Sequence, residues 1–287
     1  MARDRQEPDA RSYGTVFDTV AAEYDRHRPT YPDELIEHAC RAGGLTAGDR
    51  VLEIGCGTGQ LTRGLVDRGL RVTAVEPGAN LVALARQNLN GAGSVQFINR
   101  RFEDAPVEGP FTAVFSASAF HWTDPDQSWG KVARSLAPGG LLALIQYFGI
   151  KDERTAVDED GLMAALAGVA PELAAEWPEL RDLETLLAGV EERRENVSDV
   201  WGWLGSHDLG RGYAGPLFRD VEIAVAPMLM EQTAEELNAL LGTMSFQRRL
   251  TAEQREALES ANRELAQRLG RPIRSSLVTA LVTAHAA

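Results

Sequence analysis

The run Val51-Leu-Glu-Ile-Gly-Cys-Gly-Thr-Gly-Gln60 constrains this chain more than any other. Its first four residues have the apolar character of a short buried strand, and Gln60 to Arg68 has the apolar spacing of a helix. Between them Gly55, Gly57 and Gly59 supply a backbone that turns tightly and lets a ligand come close. Strand, glycine turn and helix in that order form a seat for a cofactor. Glu76 follows at the end of a second strand, where a carboxylate accepts hydrogen bonds from two adjacent ribose hydroxyls.

Spacing sorts the nucleotide-like cofactors. A Gly-x-Gly-x-x-Gly fingerprint requires glycine where Gln60 stands. A phosphate loop requires Gly-Lys-Ser/Thr, but Lys131 is followed by Val132 and Lys151 by Asp152. Glu53, just ahead of the turn, is unsuited to a pyrophosphate. It suits the ammonium group at the methionine end of S-adenosylmethionine (SAM).

The rest of the chain alternates. Strands are predicted at Arg71 to Val75, Val95 to Ile98, Phe111 to Ser116 and Leu141 to Tyr147, with helices at Ala79 to Leu89 and Asp126 to Leu136. Alternation of this kind implies a parallel sheet covered on both faces. After Tyr147 an acidic helical stretch runs to about Ser206. A strand near Val221 to Ala226, helices around Thr233 to Leu241 and Thr251 to Leu269, and a last strand from Ile273 to Ala284 complete the pattern. The expected fold is α/β, a Rossmann-like, doubly wound, seven-stranded and mostly parallel sheet with helical cap insertions. The expected division is an N-terminal helical lid (1–45), a cofactor-binding core (46–150), a helical cap insertion (151–215) and a C-terminal part of the core (216–287) with a helical insertion at about 230–270.

The string Glu53-x-Gly55-x-Gly57-x-Gly59 with Glu76 resembles motif I and the acidic loop of the class I SAM-dependent methyltransferases. Phe17-Asp-Thr-Val-Ala-Ala-Glu-Tyr-Asp-Arg-His-Arg-Pro-Thr-Tyr-Pro32 and Ala117-Ser-Ala-Phe-His-Trp122 resemble segments of the small-molecule branch that includes trans-aconitate methyltransferase, and Thr243-Met-Ser-Phe is a weaker match. The resemblance implies that Tyr24 and Arg28 close over the methionine end of SAM. It also implies that Phe102 and Glu103 lie at the adenine and that Ser116 and Ala117 lie near the sulfonium. Where many relatives carry an adenine-contacting Asp, this chain reads Arg100-Arg-Phe-Glu-Asp104. Cys56, Gln60 and Pro77 complete the expected cofactor-binding set.

Composition narrows the partner. A net charge of −13 opposes a nucleic-acid backbone or an anionic membrane surface, both of which require a basic footprint. Two cysteines, Cys40 and Cys56, cannot form a disulfide framework and suit the reducing cytoplasm. The N-terminus lacks a signal peptide's apolar core, and no apolar run reaches membrane-spanning length. His27, His38, His207 and His285 have no metal-like spacing, so no metal is implied. A small-molecule acceptor is the expected partner, and a homo-oligomer through the added helices is compatible with the sequence.

For the acceptor, His121 and Trp122 follow the fourth strand at the carboxyl edge of the sheet, and Tyr147 ends the fifth. His121 is the candidate general base. Trp201 and Trp203, near His207, either roof the acceptor or pack in a helical core. Arg248 and Arg249 suit a carboxylate acceptor, although a surface helix is the plainer reading. The leading expectation is methyl transfer to a small metabolite. An oxygen of a small organic acid is slightly favoured, with carbon or nitrogen of an aromatic metabolite close behind. The alternative is a protein that binds SAM without transferring its methyl, as a sensor or in a cofactor-assisted rearrangement.

Overall fold

The computed structural model describes residues 17–92, 94–205 and 214–287. The first sixteen residues of the expected lid and His207 therefore lie outside the described residues.

The sheet contains β1 (Arg50–Ile54), β2 (Arg71–Val75), β3 (Val95–Ile98), β4 (Phe111–Ala117), β5 (Leu136–Gly149), β6 (Phe218–Gln232) and β7 (Ile273–Ala286). Its seven strands lie in the order β3-β2-β1-β4-β5-β7-β6, with β7 antiparallel to both neighbours. The order reverses between β1 and β4, and open α/β sheets bind their ligands at the carboxyl edge of such a switch point. Adjacent β1 residues serve opposite faces. Val51 joins the apolar layer containing Leu61, Leu65 and Leu281, while Leu52 joins the layer containing Trp129, Val200 and Phe218.

Helices cover both faces. α1 (Ala21–His27) and α2 (Asp33–Ala42) precede the sheet, α3 (Gln60–Asp67) and α4 (Ala79–Asn88) follow β1 and β2, and α5 (Pro125–Ser135) follows β4. Asp124 caps α5, its side chain accepting from Asp126 N, with Pro125 at the first turn.

The stretch expected as a single cap has two destinations. α6 (Ala156–Val169) and α7 (Pro171–Ala175) pack with α10 (Ala234–Gly242) and α11 (Ala252–Leu269) above the carboxyl edge. Leu166 and Leu173 meet Leu258 and Leu250 there, and Leu237 meets Leu265. Capping boxes at Thr233/Glu236 and Thr251/Gln254 start α10 and α11. α8 (Leu183–Glu191) and α9 (Val197–Gly205) instead return to the sheet, placing Leu186, Val190, Val200 and Leu204 in its core.

β6 extends further than its apolar pattern indicates, pairing with β7 from Phe218↔Ala286 to Gln232↔Ile273. Polar residues such as Glu231, Gln232 and Arg274 dilute the alternation because the ribbon's far end carries the cap instead of lying in a two-sided core. Met230, Gln232, Ser275 and Leu277 from that end reach the wall of the large cavity beneath the cap.

Candidate functional site

The turn after β1 holds Gly55, Gly57 and Gly59 at φ of 72°, 53° and 90°, in the left-handed region that glycine enters without steric cost. At Gly55 the requirement is steric as well, since a Cβ there would stand 2.2 Å from the Cβ of Ala119. A Cβ on Gly57 would project into the cavity, with only the Tyr24 Cε1 nearby at 3.8 Å. The turn thus brings bare backbone to the cavity wall.

Glu76 leaves the end of β2 toward that backbone. Its Oε2 accepts from Gly57 N at 3.0 Å and its Oε1 from Gly78 N at 2.9 Å. The Asn99 side chain donates to the carbonyls of Glu76 and Pro77, holding the loop. Burial pushes the Glu76 carboxyl up to about 7, against the pull of the two N–H groups. Glu76 and Pro77 both line the cavity.

Glu53 occupies a different place from the one its charge suggested. It is 1 % exposed and accepts from Thr62 Oγ1 at 2.7 Å, beneath the turn and off the wall. The alternation of β1 sends its side chain toward α3, away from the cavity. Burial raises its carboxyl to about 7 as well. A direct pair with the cofactor's ammonium therefore gives way to a support for the turn.

Ser116 is also behind the wall, its Oγ donating to Ile54 O at 2.8 Å and joining β4 to β1. Ala117, with Ser118 and Ala119, forms the wall in its stead. Cys56 is buried, Gly59 packs α3 against Leu89 and Ala85, and Gln60 opens α3; none of these side chains reaches the cavity.

Phe102 and Glu103 lie on the wall in a 3₁₀ turn (Phe102–Asp104). Lys131 Nζ fixes this turn by donating to the carbonyls of Phe102, Glu103 and Ala105 at 2.6, 2.9 and 2.8 Å. Glu103 accepts from Asp124 N at 2.6 Å and lies 3.5 Å from Arg101 Nε.

From α1, Tyr24 and Arg28 face the same space. Arg28 donates through Nε to Thr243 Oγ1 (2.9 Å), through Nη2 to Thr243 O (2.8 Å) and through Nη1 to the Tyr147 hydroxyl (2.7 Å). Its guanidinium also stands 5.1 Å from the centroid of the Tyr24 ring. The residue after α1, the end of α10 and β5 are joined at one point. Burial raises the Tyr24 hydroxyl to about 12, keeping it protonated at neutral pH. His121 and Trp122 line the cavity with ring centroids 4.7 Å apart, and Phe17 meets Trp122 edge-on at 5.9 Å.

Three expected acceptor residues lie elsewhere. Trp201 is 0 % exposed in the core formed with α5, α8 and the sheet. Trp203 sits on α9 between Arg181 and Arg193, whose guanidinium carbons are 4.1 and 4.3 Å from its ring centroid, and its Nε1 donates to Leu186 O. Because α8 and α9 return to the sheet, neither indole reaches the cavity. Arg248 is exposed, and its neighbour Arg249 takes the place on the wall, paired with Glu176.

The aromatic pair at the cap is Trp177 with Phe246, edge to face at 5.2 Å. Sequence reading missed Trp177 and Gln146. Phe246 had one signal, the Thr243-Met-Ser-Phe run.

All these walls enclose one cavity of about 830 Å³. That is toward the upper end of the ~300–1,000 Å³ usual for ligand sites and leaves room for a nucleoside and a second molecule.

Comparison with known proteins places this geometry. The family model described as a methyltransferase domain matches residues 52–144. An uncharacterised methyltransferase of Mycobacterium tuberculosis is 38% identical over 144 residues, covering 50% of this chain and 56% of the relative. The chain thus spans about half the length of the curated relatives it matches. A SAM-dependent methyltransferase from Thiobacillus denitrificans, solved with S-adenosyl-L-homocysteine, shares the fold at TM-score 0.52 and 19% identity, covering 95% of this chain and 98% of that one. The cyclase SpnF shares it at TM-score 0.51 and 15% identity, covering 97% of each chain. Residues 52–144 match the methyltransferase-domain family, and they lie in a Rossmann-like sheet of seven strands.

Proposed function

We propose that the protein transfers the methyl group of SAM to a small molecule held between the glycine turn and the helical cap. The observation that carries this reading is the continuity of the cavity. Glu76 and the Gly57 backbone occupy one end, and cap residues from α7, α10 and the segment after α10 roof the other. The residues fit the cofactor, since Glu76 offers a carboxylate to a ribose diol and Gly57 leaves room where any side chain would intrude. Phe102 and Glu103 are placed for the adenine, and Tyr24 for the methionine end.

SAM supplies an electrophilic methyl group on a sulfonium. The protein's part is to orient the acceptor and exclude water, which contributes up to ~7–11 kcal/mol in well-oriented systems. His121 stands on the wall to receive a proton from an acceptor that must lose one. A carboxylate acceptor would need no base. Two buried free thiols, Cys40 and Cys56, support a reducing cytoplasmic setting.

The fold is shared with the [4+2]-cyclase SpnF, so fold alone does not establish transfer. The test is release of S-adenosylhomocysteine from methyl-labelled SAM across a panel of organic acids, phenols and amines. Acceptor-dependent release with label in the product is expected. Tight SAM binding with no release on any acceptor would favour the non-transferring alternative.

A further inference from the structure

The two ends of the cavity differ in chemistry. Glu76, Glu103 and Arg101 stand near the glycine turn, whereas Leu173, Trp177, Leu237, Leu241, Met244 and Phe246 wall the cap end. The edge-to-face contact of Trp177 and Phe246 makes a flat apolar corner suited to a ring or a chain.

The cations on the wall, among the described residues, are Arg28, Arg101 and Arg249. Arg28 already donates from all three guanidinium nitrogens, to Thr243 and Tyr147. Arg101 lies beside Glu103, and Arg249 is ion-paired with Glu176 at the exposed rim. An anionic acceptor in the apolar end would therefore lose its water without gaining an uncommitted cation.

One deeply buried polar side chain enters the cavity wall from the sheet, beside the end of β4. Gln146, near the end of β5, is 9 % exposed, and its Oε1 is buried with no hydrogen-bond partner among the described residues. A half-turn of the terminal amide exchanges its acceptor and donor, so it can serve a hydroxyl or an amine. A buried amide oxygen without a partner is costly, and a ligand that pairs the amide removes the cost.

We infer that the acceptor is a neutral, largely apolar molecule with one hydroxyl or amine. Its body lies against Trp177 and Phe246 and its polar group on Gln146. This rests on the SAM-dependent reading and reverses the slight preference for a small organic acid. Transfer forms the bond from the acceptor's heteroatom to the methyl carbon while the carbon–sulfur pair returns to sulfur. The proton released goes to His121 or, through it, to solvent.

The experiment uses 2-naphthol and 2-naphthoate, one ring system with a neutral or an anionic substituent, titrated calorimetrically into the full chain saturated with S-adenosylhomocysteine. Naphthol is expected to bind at least tenfold more tightly, and equal or tighter binding of naphthoate overturns the inference. Gln146→Met should weaken naphthol about tenfold and leave S-adenosylhomocysteine affinity unchanged. Unchanged naphthol affinity in that variant removes Gln146 from the site. Trp177→Ala, on the cap, reads the apolar corner independently of Gln146's fold-sensitive position and should also weaken naphthol. Failure of S-adenosylhomocysteine itself to bind would overturn the cofactor reading, and naphthol titrated into the unloaded protein would still test the apolar end.

Discussion

At the turn end of the cavity, Gly55, Gly57, Glu76, Phe102 and Glu103 come from one stretch of chain and from loops that leave neighbouring parallel strands. At the cap end, Trp177, Met230, Leu241 and Phe246 come from segments far apart, and the Arg28–Thr243 bonds that tie α1 to the end of α10 bridge 215 positions. The first end is held by backbone, through glycines at positive φ and a carboxylate on two N–H groups. The second is held by side chains packing on one another. A backbone-held site is written in short spacings, whereas a packed chamber is specified only once the strands are in place. The cofactor end should therefore be sensitive to single polar changes and the cap end to apolar volume.

The largest expected effect sharpens that contrast. Glu76→Ala removes a carboxylate placed to accept charge-assisted bonds, each worth roughly 1.5–3 kcal/mol, and leaves the N–H groups of Gly57 and Gly78 without it. Calorimetry should show S-adenosylhomocysteine binding weakened by at least tenfold in a protein with an unchanged circular dichroism spectrum. Naphthol binding should persist. Unaltered S-adenosylhomocysteine affinity would mean that the ribose is held elsewhere.

Next comes Trp201→Ala, with an expected loss of ~3–5 kcal/mol of stability from the cavity left in the core. Both ligand affinities should remain as in the parent when measured well below the lowered melting temperature. A selective loss of acceptor binding would return Trp201 to the site and break the division between sheet cover and cap.

These residues show where the sequence was legible. The positions of the strands up to β5, the glycine turn and Glu76 are local, because period and spacing there report burial and turn chemistry directly. The charge of Glu53 does not report its direction, which the alternation of β1 turns toward Thr62. Trp201 and Trp203 were ambiguous for another reason. An indole on an apolar helix face looks the same whether the helix covers a sheet or roofs a ligand, and the return of α9 to the sheet, with α8 packed on it, is decided by its contacts with β5, β6 and β7. Gln146 gave no signal, since a glutamine in an apolar strand carries no spacing. Its meaning comes from the unpaired Oε1 beside a cavity.

The smallest expected effect is a pH dependence that separates the two buried carboxyls. Burial raises both Glu53 and Glu76 from an ordinary 4.5 to about 7. For Glu76 the nearby Asp18 adds in the same direction, against the N–H groups of Gly57 and Gly78. Groups that hold a proton more tightly in the folded than in the unfolded chain favour the fold at lower pH, so this contribution is present toward 4.5 and is lost as pH rises through about 7. Cofactor binding should run the other way, because accepting ribose hydroxyls beside a cationic ligand requires the ionised Glu76. Below pH 7 each unit costs up to about tenfold in affinity, equivalent to ~1.4 kcal/mol. Calorimetry of SAM at pH 8, 7 and 6 should show affinity falling about tenfold across the range. Glu76→Gln should bind weakly at every pH and flatten that dependence, while the stability trend from Glu53 persists in thermal melts. If the SAM affinity of the parent protein were level from pH 8 to 6, Glu76 would not be the group whose ionisation the cofactor requires.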